Sequence, residues 1–554
     1  MTATPNLGWN TYGSGLDAMG RDGQPEHIEV ESTGDGQLRV RVDAVGLCFS
    51  DVKLIKQGAD HPKLYGRDLA SQPTRLGHEA TVTVLEVGDQ LAGQYHVGER
   101  LAIQPDIHVD GVSTAYGYTV PGGLIQHHLI GQEVLGGDEG PYVIPVPEGC
   151  GLADAALSEP WACVEAAYTQ RRRLEPLPGG RLLLLADGPV ERDIDLAGAV
   201  DSAGHITLLG IGAEVERAVR RLNGNADVAV VESLPDGADF DDIIVLEPRS
   251  AELVSELARR IAFRGVMLLA GTQPLDGRCA IDLGRMHYHY TAYLGTTSPV
   301  IREAYGRTRN RADLVDGGVA VFVGAGGPMG QMHVQRALES ERGPATVIAV
   351  DPDEDRLAVL RSRLSPLAER VGRRLVVIAG DASQARPHVV EASGGAMADD
   401  VVVSVPVAAV MEEAAELMGP SGMFVAFAGV PNGTMGNLDM SNVHLGAAQF
   451  TGTSGSGVQD QVNVLAKVRA GTLSPSLNLA AIGGIGAARD GVRAVMEGRF
   501  AGKVLIFPQV VGLPLVGLDE LADVLPEVAK HLGPSGEWTE RAEQELLDHF
   551  GVTV

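Results

Sequence analysis

The sequence predicts an α/β protein with a compact β-barrel-like domain and two tandem doubly wound parallel sheets, the first of them degenerate. Three observations predict it. An apolar run of strand length, Val319 to Val323, breaks into the cluster Gly324-Ala-Gly-Gly-Pro-Met-Gly330 and restarts as a helical pattern over Gln331 to Glu339. Landmarks of that region recur 157 to 158 residues upstream. Between about residues 26 and 150, short β-patterned runs alternate with Gly, Asp and Pro turns, as expected of a small barrel.

At 554 residues the chain exceeds one ordinary domain, and three or more units are expected. Its formal charge of −28 argues against nucleic acid or an anionic membrane surface as a partner, since both are negative themselves. The opening stretch Met1 to Asn10 has neither the basic start nor the apolar core of a leader. No apolar run reaches bilayer length. The four cysteines, Cys48, Cys150, Cys163 and Cys279, are too scattered for a disulfide framework, and a cytoplasmic setting fits.

In chain order, Gln37 to Val42, Ala80 to Val87 and Arg100 to Ile103 are the clearest barrel strands. Three segments there carry chemistry: Gly46-Leu-Cys-Phe-Ser-Asp51, Leu76-Gly-His-Glu-Ala80 and Leu157-Ser-Glu-Pro-Trp-Ala-Cys163. Cys, His and Glu are the donors a catalytic zinc takes, with one position left for substrate. On residue type alone Cys48 equally suits a buried small hydrophobe, His78 a satisfied core histidine and Glu159 a helix-start acid.

Those segments in that order, with the Val87-Gly88 and Val97-Gly-Glu-Arg100 turns and the later glycine loop, resemble the zinc-containing medium-chain dehydrogenases, in their sorbitol, threonine and sugar-alcohol branch. The resemblance implies a GroES-like catalytic domain and Rossmann-type nucleotide domains. It implies one catalytic Zn2+ on Cys48 and His78, with Glu79 a ligand or its immediate support and Glu159 completing the site. Cys163 is the alternative to Glu159. Ser50 would pass the substrate's hydroxyl proton towards the cofactor ribose. Lys53 stands where relatives often carry a histidine that finishes this relay, and the segment from Lys56 to Arg75 makes the Cys48 to His78 interval longer than usual. The lobe of four cysteines that holds a second, structural zinc is missing: no cysteine follows Gln104 until Cys150.

Further on, Asp241 to Val245, Arg264 to Gly271 and Leu294 to Ser298 parallel Asp399 to Val403, Ser421 to Gly429 and Thr451 to Ser454, and His287 parallels His444. A register this constant predicts two copies of one fold. They differ where it matters. The second has Gly330 and, 21 residues later, the acid Asp351 at the end of a β-rich run. The first has Glu191 and, in place of the acid, Leu209-Gly-Ile-Gly212. In the second copy Gly324, Gly326, Gly327, Pro328, Met329 and Gly330 would seat a pyrophosphate at a helix N-terminus, and Asp351 would accept both ribose hydroxyls and repel a 2′-phosphate. NAD(H) is therefore the expected cofactor, bound by the second copy alone.

The expected layout is a catalytic domain over 1–175, the degenerate copy over 176–312, the NAD domain over 313–456, a return segment of the catalytic domain over 457–507, and an extension over 508–554. In the extension, Leu518 to Leu532 and Trp538 to Phe550 read as two amphipathic helices. Because two nucleotide domains of this family usually pair edge to edge across a dimer, the degenerate copy is expected to replace that partner, giving a monomer that imitates a dimer core, or else a homo-oligomer. The implied reaction moves a hydride between NAD and a secondary alcohol: a polyol, cyclitol or sugar, with or without a phosphate. Lys53, His61, Arg67, Tyr116 and Tyr118 are candidates near the substrate. Two alternatives are an amino-alcohol (threonine-type) dehydrogenase and a non-catalytic NAD-binding relative.

Overall fold

The computed structural model describes residues 6–234, 237 and 239–553. Met1 to Pro5, half of the stretch read as lacking a leader, lie outside them. The chain forms two compact units, Met1–Ala166 with Gly455–Val554, and Ala167–Ser454.

The first unit is organised on one mixed sheet. Its strands run in the order Val143–Pro145, Arg100–Ile103, Glu79–Val87, Leu38–Leu47, Lys503–Phe507, Leu479–Gly484 and Val516–Gly517, and His127–Ile130 also pairs with Leu38–Leu47. The ladder between Leu38–Leu47 and Glu79–Val87 slips between Arg39 and Val40 and between Val42 and Ala44. Such bulges bend a strand, so one long strand can pair with three neighbours. Val40, Val42, Val45, Val82, Val84, Leu101 and Ile506 fill the core beneath it.

Lys503–Phe507 and Leu479–Gly484 from the segment 457–507, and Val516–Gly517 from the extension, lie in this same sheet. The expected helix over Leu518 to Leu532 is instead two single turns, Leu521–Val524 and Pro526–Ala529. Pro526 lacks the N–H that would continue the first into the second. The second expected helix is present as Glu540–His549. Its Glu543 carboxylate accepts the backbone N–H groups of Leu152 (2.6 Å) and Ala153 (2.9 Å), at the start of the helix Leu152–Ala166.

The second unit is built on a twelve-stranded sheet. In chain order its strands are β1 Arg181–Ala186, β2 His205–Leu209, β3 Asp227–Val231, β4 Phe240–Leu246, β5 Ile261–Ala270, β6 Ala292–Thr296, β7 Val319–Val323, β8 Thr346–Asp351, β9 Arg374–Ala379, β10 Ala398–Val403, β11 Met418–Ala426 and β12 Gln449–Gly452. Their spatial order is β3-β2-β1-β4-β5-β6-β12-β11-β10-β7-β8-β9. Each half is thus the 3-2-1-4-5-6 order of a doubly wound dinucleotide fold. The halves join through the antiparallel pair β6 and β12. Beside that junction Cys279–Asp282 pairs antiparallel with Met435–Leu438, again one segment from each copy.

The first copy has decayed further than its sequence suggests. Where the second has the helix Pro328–Glu339 after its first strand, residues 187–204 form no helix. Glu191 was expected at a helix start; it lies in this irregular loop. The loop is tied down by its own side chains: Asp187 accepts the N–H groups of Arg249 (2.6 Å) and Ser250 (2.7 Å), and Arg192 pairs with Glu247 at 2.6 Å.

Candidate metal centre and nucleotide loop

Cys48 lies between the strand Leu38–Leu47 and the helix Phe49–Gln57. His78 precedes the strand Glu79–Val87. Asp51, in the first turn of that helix, ties the two together. One oxygen accepts the Cys48 N–H at 2.9 Å, while the other accepts the Gly77 N–H at 3.2 Å and stands 3.4 Å from His78 Nδ1. Burial works against the Asp51 charge, but His78 and the two N–H groups prevail and hold its carboxyl below the usual range. Nδ1 has no hydrogen-bond partner among the described residues, but the Asp51 carboxylate beside it is the group that would orient the ring, leaving Nε2 as the binding nitrogen. Gly77 is needed for this turn: its φ is +91°, and a Cβ there would lie 2.7 Å from Val45.

Donor atoms of Cys48, His78 and Glu79 lie within 4.8 Å of one another. Glu79 is fully buried, and its Oε1 accepts a hydrogen bond from the buried ammonium of Lys503 at 2.5 Å. Its Oε2 is buried with no hydrogen-bond partner. An orphaned carboxylate oxygen beside a thiol and an imidazole is chemistry that suits a zinc ion. Gly46 leaves room for it, since a Cβ there would sit 2.0 Å from that oxygen.

Glu159 comes from the buried helix Leu152–Ala166 and stands outside this trio. Burial pushes its carboxyl up to about 7, with His78 pulling down and Glu79 pushing further up. Cys163, one turn on, places its sulfur 3.7 Å from Glu159 Oε1 and 3.7 Å from Ser456 Oγ, and burial holds it as a thiol.

Ser50 Oγ is 3.7 Å from Cys48 Sγ, and Ser50 also acts on the Tyr118 hydroxyl beside it. The Tyr118 ring leads outward, 5.8 Å from the His78 ring on one side and 5.1 Å from the His61 ring on the other. Lys63 Nζ lies over the Tyr118 ring at 5.3 Å and pairs with Asp106 at 2.9 Å. Lys53 is exposed on its helix and is felt by His61 as a neighbouring charge. It has no contact with Ser50 that would finish a relay. Tyr116, expected near the substrate, is a core residue instead, its hydroxyl 2.9 Å from His128 Nε2. Arg67 is spent on the Thr119 carbonyl at 2.8 Å. Sequence reasoning missed Lys503, whose lone charge at the edge of an apolar run looks like a solvated strand end.

In the second unit the glycine loop and the acid meet. Gly324 has φ +81°. The Gly326 N–H donates to Asp351 Oδ2 at 2.9 Å, and Asp351 Oδ1 accepts the Asp353 N–H at 3.0 Å. Gly327 caps the helix that Pro328 opens, and Met329 follows in its first turn. A Cβ on Gly330 would lie 2.1 Å from the Gly324 carbonyl, so this glycine allows helix and strand to pack closely.

A two-copy doubly wound sheet and a barrel unit bearing a Cys, His and Glu cluster define the class, a dehydrogenase-type α/β fold with a metal-donor site. Residues 34–144 match the alcohol dehydrogenase GroES-like domain. The chain is 27% identical over 305 residues to L-sorbose 1-phosphate reductase of Klebsiella pneumoniae, covering 50% of this chain and 73% of the relative. It is 21% identical over 545 residues to mannitol-1-phosphate 5-dehydrogenase of Aliivibrio fischeri, covering 96% and 97%. Among solved structures, 2R,3R-butanediol dehydrogenase from Bacillus subtilis superposes with a TM-score of 0.52 at 15% identity, covering 91% of this chain and 99% of that one. The chain is thus similar to medium-chain alcohol dehydrogenases in its GroES-like segment and in fold, and its nucleotide fold is duplicated. No helix among the described residues is long and apolar enough to cross a membrane.

Proposed function

We propose that this protein is a zinc-dependent dehydrogenase that moves a hydride between NAD and a secondary alcohol of a phosphorylated sugar or polyol. The observation that carries the reading is the buried trio Cys48, His78 and Glu79 with its orphaned carboxylate oxygen. A zinc ion held there would polarise the substrate oxygen and lower the pKa of the alcohol, and NAD would accept the hydride.

The chain's own residues supply the rest. Asp51 orients His78, and the Lys503 ammonium pairs with the buried Glu79 carboxylate and offsets the cost of burying its charge. Ser50, beside the Cys48 sulfur, would take the hydroxyl proton and pass it outward. Glu159, poised near neutrality, adds a second carboxyl that feels the charges of His78 and Glu79. The N–H groups of the loop from Gly324 to Gly330 receive the pyrophosphate, and Asp351 the ribose hydroxyls. Beyond the Tyr118 ring, Lys53 and His61 suit the phosphate, in keeping with relatives named for sugar phosphates.

The test is metal analysis and NAD titration on the purified chain, followed by a panel of hexitol phosphates, free hexitols and threonine with NAD. One zinc and one NAD per chain, with turnover fastest on a phosphorylated polyol, is the expected outcome. A chain that binds NAD, holds no zinc and turns over nothing would refute the reading.

A further inference from the structure

The barrel unit holds a second concavity, and none of Cys48, His78 and Glu79 lines it. This cavity of about 690 Å³ is lined by Arg75, Thr114, Tyr116 and His128 and by apolar side chains, Leu129 and Val134 among them. Its volume and mostly apolar wall with a few polar groups are those of a small-molecule site.

The polar groups are out of balance. Arg75 is buried, and among the described residues no carboxylate lies within ion-pair distance of it. A guanidinium has five donors. Those of Arg75 reach the Gly122 carbonyl at a long 3.5 Å and Asn10 Oδ1 at 3.2 Å, and its Nε has no acceptor. Glu26, whose charge acts on Arg75, is engaged by the Tyr12 hydroxyl at 2.8 and 2.9 Å. Thr114 Oγ1 is likewise buried without a partner. Tyr116 and His128 satisfy each other, and burial pushes His128 down to about 3, so it adds no charge.

A buried cation with unfilled donors is costly, and an anion brought to it offsets that cost. Among the described residues Arg75 is the one unpaired cation on the cavity wall, and Glu133 there disfavours a second negative charge, so a monoanion fits better than a phosphate. We propose that this cavity binds a small organic monocarboxylate, with the carboxylate on Arg75 and Thr114 and the hydrocarbon body along Leu129 and Val134. Arg75 runs directly through Leu76 and Gly77 to His78, so the occupant rests on the segment that carries a metal ligand.

The test uses the full chain and sodium hexanoate, followed by calorimetric titration and thermal unfolding, with hexan-1-ol and hexylammonium as controls. Hexanoate should bind and raise the unfolding midpoint, while the alcohol and the amine leave it unmoved. Arg75→Gln should weaken hexanoate about tenfold to a hundredfold. Leu129→Trp, which fills the cavity, should abolish binding and leave zinc content unchanged. No shift at millimolar hexanoate, equal shifts with hexan-1-ol, or unaltered affinity in Arg75→Gln would each overturn the assignment. If Arg75→Gln does not fold, retained binding in Leu129→Trp overturns it instead.

Discussion

Tyr293 and Phe450 are partners across the antiparallel junction of the twelve-stranded sheet, and they are also the same position of the repeat, 157 residues apart. A two-fold relation between identical subunits would pair each residue with its own copy in this way. Here both copies come from one chain. The edge at β12 is consumed internally, so no second molecule can pair there. In sedimentation equilibrium the protein should behave as a single chain of 58.1 kDa. A tight dimer whose hydrogen-exchange protection maps to β12 would show that the junction opens and that the duplication does not replace a partner.

The Glu79 to Lys503 pair sets a second expectation. Both side chains are buried, 2.5 Å apart, and removing one charge leaves the other stranded. Lys503→Met should cost about 3 to 5 kcal/mol of stability and lower zinc affinity about 10 to 100-fold. Lys503→Arg, which keeps the charge, should retain most of both. Chelator competition alongside chemical denaturation separates the two effects. Equal zinc affinity in Lys503→Met and the parent would remove Glu79 from the metal's surroundings.

Much of this was legible in the chain. The glycine loop, Asp351 and the repeat were readable because they depend on local backbone demands and on register, which survive in one dimension. Donor atoms of Cys48, His78 and Glu79 lie together, a grouping that residue type left open and only the family resemblance implied. Lys503 and Asp51 were not legible as partners, because each acts through a contact between segments far apart in sequence or through a single side-chain rotamer. Tyr116 was misplaced for the opposite reason: a tyrosine in a turn-rich segment looks exposed until its hydroxyl is seen to have a buried histidine partner. The loss of the first copy's helix was only half visible, since Glu191 signalled decay without showing that residues 187–204 leave helical geometry altogether.

The glycine loop gives a test that separates folding from recognition. Gly330→Val puts a side chain where a Cβ already lies 2.1 Å from the Gly324 carbonyl, so the helix Pro328–Glu339 must move. The expected cost is about 1 to 3 kcal/mol, with NAD affinity falling as well. Asp351→Ser keeps the helix in place but removes the ribose acceptor and its charge. NAD affinity should fall about tenfold to a hundredfold while NADP affinity holds or rises. Fluorescence titration with both nucleotides reads the ratio, which general destabilisation would not change. An unaltered ratio would contradict the assigned role of Asp351.

Glu543 makes stability depend on pH in a direction that can be worked out. Burial pushes its carboxyl from an ordinary value of 4.5 up to about 7, the N–H groups of Ala153 and Leu152 pulling the other way. A folded pKa above the unfolded one means the native state holds its proton longer. The contribution is therefore intact below about pH 4.5 and is lost as pH rises through 7. Glu543→Gln stays neutral throughout and keeps an acceptor for the Leu152 N–H. At pH 5 it should match the parent closely. By pH 8 it should be the more stable of the two, by up to a few kcal/mol. Glu543→Ala removes the cap and should cost about 1 kcal/mol at pH 5 as well. Denaturant unfolding of the three proteins at pH 5, 6.5 and 8 checks this, because the difference between them cancels every other titrating group. Parallel profiles for the parent and Glu543→Gln would mean that the helix N-terminus holds this carboxylate ionised, and that burial does not govern it.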